Sequence, residues 1–110
     1  MKLRALSILQ AMVLQNSIAD ADEGADYGEI VREGVACMFG HDRISVRTLD
    51  ELIFHGAVSR SSDSTERFER WTINETGEAI AKHPEIAPDI KAAYFLQKRF
   101  RIDGDRVIFE

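Results

Sequence analysis

Residues 47–60 read RTLDELIFHGAVSR. Val46, Leu49, Leu52 and Ile53 recur at helical spacing, and the spacing stops at Gly56. Ser45 stands where an N-cap hydroxyl is wanted. Glycine tolerates the left-handed backbone that ends a helix and reverses the chain. The stretch therefore predicts a helix over 46–55, a reversal at Gly56 and a strand over 57–60 that packs back beside the helix. "SSDSTE" (61–66) follows as a polar turn, and "RFERWTI" (67–73) as a second strand. Asn74 caps a short helix, "ETGEAIAK" (75–82), which His83-Pro84 breaks.

Upstream, Leu3, Leu6, Leu9, Met12 and Val13 form a helical stripe over 3–15, closed by Asn16 and Ser17. Asp26 with Glu29 three residues on matches the reciprocal capping arrangement. A helix over 27–38 is expected after it, burying Ile30, Val31, Val35 and Met38 and ending at Gly40. Gly28 and Gly34 would each weaken that helix by about 1 kcal/mol relative to alanine, and both offer room for close packing. Downstream, Pro88 opens a further helix to about Arg99. Asp103-Gly104 between apolar residues is a short-range hairpin signal.

In this order "ISVRTLDELIFHGAVSR" (44–60) and "RWTINETGEAI" (70–80) resemble the winged helix-turn-helix transcription regulators of bacteria and phages. A looser likeness is to small winged-helix proteins of Mu-like phages. Ile73, Asn74 and Gly77 stand where that family places its Leu, Thr cap and Gly after the wing. The resemblance covers residues 3–82. It implies an α+β fold: a three-helix core with a β-hairpin wing in residues 1–82, extended within the same compact unit by a C-terminal helix and short hairpin in 83–110. It also implies a small DNA-binding regulator, with helix 46–55 in the major groove and the wing (57–73) on the backbone.

Under that reading double-stranded DNA is the partner. Ser45, the helix cap, and Arg47 and Thr48 in the first turn after it are the base or phosphate contacts. Arg43, Arg60, Arg67 and Arg70 are the phosphate contacts. The alternative is a winged helix used as a protein-interaction module that does not bind DNA. Residues 41–70 hold five arginines against six acids, so the arginines can equally pair with their neighbours.

The chain has 110 residues and a net charge of −5, enough for one domain and unsuited to coating nucleic acid. Residues 20–33 are strongly acidic, with Arg32 the one base, while "KRFR" (98–101) is basic. Cys37, His41 and His55 suggest a metal site, but no second cysteine or histidine cluster completes a four-ligand set. Cys37 reads as a small core residue and the histidines as loop or surface groups. Trp71 reads as core behind the wing. Tyr94, Phe95 and Phe100 exceed what one buried stripe needs, so they are expected to form a homodimer contact. No Gly-rich phosphate loop, nucleophile motif or carboxylate pair points to an enzyme or a cofactor. The lone cysteine and the absence of a long apolar run point to a cytoplasmic protein without a membrane span.

Overall fold

A computed structural model describes residues 1–110 as an α+β fold. The elements in chain order are α1 (Leu3–Ala21), β1 (Glu29–Glu33), β2 (Ala36–Phe39), β3 (Asp42–Ile44), α2 (Val46–Phe54), β4 (Val58–Arg60), β5 (Glu69–Ile73), α3 (Glu75–Lys82), α4 (Ala87–Phe95), β6 (Phe100–Asp103) and β7 (Arg106–Phe109). A 3-10 turn, Pro84–Ile86, leads into α4. β1 to β5 form one antiparallel sheet in the order β3-β2-β1-β5-β4, and β6–β7 is a separate hairpin. No helix is long and apolar enough to cross a membrane.

The segment from Ser45 onward forms as its local signals dictate. The Ser45 hydroxyl accepts the Thr48 N–H at 3.1 Å and starts α2. Gly56 sits at φ +64 and ends it. β4 pairs with β5 in the register Val58↔Ile73, Ser59↔Thr72, Arg60↔Trp71. The Asn74 side chain accepts the Gly77 N–H and caps α3, which stops at Lys82 before Pro84. The helix after Pro84 and the Asp103-Gly104 hairpin also form, although α4 ends at Phe95.

Residues 27–38 correct the reading as a helix. They are the paired strands β1 and β2, in the register Ile30↔Phe39 to Glu33↔Ala36. Asp26 therefore caps nothing, and the middle helix of the expected three-helix core is missing. Gly34 and Gly40 both sit at φ +61, each first in a two-residue hairpin loop. That backbone matches the twist of the strands it joins. α1 also runs on past Asn16 to Ala21. The Asn16 side chain turns outward to accept the Gly28 N–H at 2.8 Å, so it cannot compete for its own helix.

The helices α1, α2 and α3 pack on one face of the sheet. Ile30, Cys37, Ile44 and Val58 are buried on that face, against Ile8, Leu9 and Met12 of α1, Leu49 and Leu52 of α2, and Ile80 of α3. Leu3, placed in the expected stripe, is instead 82% exposed. Ile86, Ala87 and Ile90 belong to the same core, so the C-terminal segment and the rest share one interior. The opposite sheet face carries Val31, Ala36, Met38, Arg70 and Thr72, all half-buried, with Arg43 and Ser59 exposed.

Candidate functional site

The arginines expected on DNA do not converge. Arg47 is exposed in the first turn of α2 and carries no ion pair. Its neighbours Ser45 and Thr48 hold each other, hydroxyl to hydroxyl at 2.9 Å, and Thr48 is buried. Their polar groups serve the helix start. Arg60 pairs opposite Trp71, so the register turns it to the helix side, and its guanidinium donates to the Thr65 carbonyl at 3.1 Å. Arg70, one residue out of phase, points to the open face. There it donates to Glu29 at 2.9 Å, lies 3.8 Å from Asp63 and covers the Phe68 ring at 5.3 Å. Arg43 shares the open face, across the row Arg43, Met38, Val31, Arg70. Three strand spacings put the ends of that row about 14 Å apart. Arg67 is exposed in the turn before β5.

The structure instead brings together a concave site that the sequence reading missed. A groove of about 1120 Å³ lies between the loop 24–28, the start of β1 and the β2–β3 turn. Val31 and Met38 give it an apolar floor; Asp26, Glu29 and Asp42 line it with acid, and Arg70, paired with Glu29, lines it too. The loop is held in place by α1. The Gln15 side chain donates to the Asp26 carbonyl at 2.7 Å, beside the Asn16 contact to Gly28. Gly28 packs closely there: a Cβ would stand 3.1 Å from the Met12 Cα, a tight contact. The Tyr27 hydroxyl donates to Asp20 at 2.6 Å. That hydrogen bond, and the negative charge behind it, push the Tyr27 pKa above its ordinary value.

Charge is concentrated around this groove. Residues 20–42 carry seven acids and one arginine, a net −6, whereas the whole chain carries −5. The rest of the molecule is therefore close to neutral. The acidic run was visible in the sequence; that it folds against an apolar floor was not.

Of the three aromatics expected at a dimer contact, two pack within the protomer. Tyr94 and Phe100 meet edge to face at 5.7 Å, and Tyr94 lies over Gly56. Phe95 is 78% exposed. Cys37 is buried, and burial pushes its thiol pKa up. His41 lies exposed in the β2–β3 turn. His55, read from the sequence as a loop or surface group, is buried, with Nδ1 2.8 Å from the Glu51 carbonyl. It is the C-cap of α2, directly after Phe54. No group of three or more His, Cys, Asp or Glu side chains is placed to hold a metal ion. Trp71 is half-buried against the core. No protein-family profile, curated protein or solved structure matches this chain.

Proposed function

We propose that this protein is a non-enzymatic protein-interaction module of a bacterial or phage-infected cytoplasm. Its groove takes a basic segment of a partner polypeptide, with apolar side chains on Val31 and Met38 and cationic ones along Asp26 and Asp42. The observation that carries this reading is the concentration of negative charge around a concave, partly apolar surface. Complementary charge steers encounter and fixes orientation, while the apolar contact supplies affinity. A lysine-rich amphipathic peptide titrated into labelled protein is expected to shift the amide resonances of Tyr27, Val31, Met38 and Asp42. It should do so more weakly in an Asp26→Lys, Asp42→Lys variant. Shifts confined to other surfaces would remove the groove from the account.

A second reading has one observation in its favour: Arg47 is exposed and unpaired on the first turn of a capped helix. α2, the β4–β5 hairpin and α3 keep the order of the second half of a winged helix, so under this reading α2 is the recognition helix of a DNA-binding regulator. The acidic surroundings weigh against it, because each phosphate contact needs an available cation. If it holds, Arg47→Ala weakens binding to the gene's own upstream DNA by about 1–3 kcal/mol, the worth of one good base contact. Gel shifts at fixed salt give the measurement, and no shift with the unmodified protein ends this reading.

A further inference from the structure

We propose that the groove's occupant is the Phe95–Arg101 segment of a second copy of this chain, an inference that rests on the groove reading above. The segment has the chemistry the groove asks for. Phe95 and Leu96 are 78% and 56% exposed, an unusual load of apolar surface for two consecutive residues. Lys98, Arg99 and Arg101 follow, all exposed and none in an ion pair. Gln97, the one non-glycine residue at positive φ (+53), ends α4 and swings the basic stretch away from the helix axis. Such a backbone is uncommon outside Gly, Asn and Asp, and here it presents the cations to solvent.

The protomer does not satisfy this pair of surfaces by itself. No residue beyond Arg70 lines its own groove. The segment is tethered elsewhere, by Tyr94 over Gly56 and by Phe100 against Tyr94. A groove lined by Asp26 and Asp42 without ion pairs, and a stretch with three exposed cations and two exposed apolar side chains, therefore remain unmatched on one molecule. Between two copies they match: Phe95 and Leu96 on Val31 and Met38, and Lys98, Arg99 and Arg101 against Asp26 and Asp42, beside the Glu29–Arg70 pair. Groove and segment are different surfaces, so each contact joins unlike faces. Two copies close the assembly if the contacts are reciprocal; otherwise it grows into a ring or chain.

Light scattering coupled to size exclusion tests this at tens of micromolar. The unmodified protein is expected at twice its 12.4 kDa mass or more in dilute buffer. It should shift toward the monomer near 1 M salt, where screening shrinks to about 3 Å. The variant Lys98→Glu, Arg99→Glu, Arg101→Glu and the variant Asp26→Lys, Asp42→Lys should each run as a monomer. Their mixture keeps one native groove and one native segment, and should give a 1:1 complex. A free peptide of residues 93–102 should also dissociate the unmodified protein, a readout that needs no variant. A monomer mass for the unmodified protein, or an assembly insensitive to salt, both variants and the peptide, overturns the second copy. If the lysine-rich peptide still binds the groove in that case, the groove reading stands alone. If it misses the groove, both readings fall together.

Discussion

Gly56 is held by two independent constraints. Its φ of +64 lies where an L side chain is strained, and the Tyr94 ring occupies the place a Cβ would take. Gly56→Ala should cost about 1–2 kcal/mol from the backbone alone, plus the displacement of Tyr94. In a Tyr94→Ala background only the backbone part should remain. A double-mutant cycle by urea denaturation measures the difference, and equal costs in both backgrounds would show that Tyr94 yields freely. Asn74 is the neighbouring fixed point. Its carbonyl oxygen accepts from Gly77, while its amide donates to the Gly56 carbonyl at 2.8 Å and the Ser59 hydroxyl at 2.9 Å. One side chain thus ties the exit of α2, strand β4 and the start of α3. Asn74→Ala should cost about 1–2 kcal/mol, the upper range for a cap. Asn74→Asp keeps the cap but loses both donated bonds and sets a carboxylate against the Gly56 carbonyl. It should therefore also destabilise, although aspartate caps helices as well as asparagine does. A melting temperature for Asn74→Asp equal to the parent's would show that only the cap counts.

Among the elements, those from Ser45 to Lys82 were legible because each boundary is set by a residue beside it: a hydroxyl cap, a left-handed glycine, an amide cap, a proline. Residues 27–39 were not, because their local signals conflict. Asp26 and Glu29 imitate a capping pair, and Ile30, Val31, Val35 and Met38 can be laid on a helix face. Against that stand the β-branched residues and Gly34 and Gly40, six apart, each able to open a tight hairpin. The conflict is decided by a partner some forty residues away, β5, which pairs with β1 from Glu29↔Thr72 to Arg32↔Glu69. Periodicity within 27–38 contains no trace of that partner. The groove was hidden for the same reason: its floor and walls come from α1, the acidic loop, three strands and Arg70, and only the sheet gathers them. The hairpin account makes a clean forecast. Nothing lies within 4 Å of a Cβ at Gly34, so substitution there tests the backbone alone. Gly34→Val should cost about 1–2 kcal/mol. Gly34→Asn should cost clearly less, because asparagine visits the left-handed region readily. Similar losses for both in urea titrations would mean that the loop does not depend on its positive φ.

At the scale of the whole molecule, the boundary near residue 82 that the family resemblance suggests is not a boundary in the core. Ile86 and Ile90 are 2% and 0% exposed and sit in the same cluster as Leu9, Leu49 and Ile80. Phe100, Ile102 and Val107 lean on that cluster from the C-terminal hairpin. Burial of one isoleucine contributes about 1.5–3 kcal/mol, so the two together supply several kcal/mol, against a total stability of about 5–15 kcal/mol for a typical domain. Removing residues 83–110 withdraws both at once and uncovers the apolar surface they shielded. The 1–82 fragment is therefore expected to lose cooperative thermal unfolding and to bind a hydrophobic dye. In the full chain, Ile90→Ala is expected to cost about 2–5 kcal/mol, as truncation at a closely packed site does. Calorimetry separates the outcomes. A fragment that melts as sharply and as late as the full chain would make the C-terminal segment an appendage. Loss of the transition would make it structural, and would mean that Phe95 to Arg101 are presented from a platform the fold cannot spare.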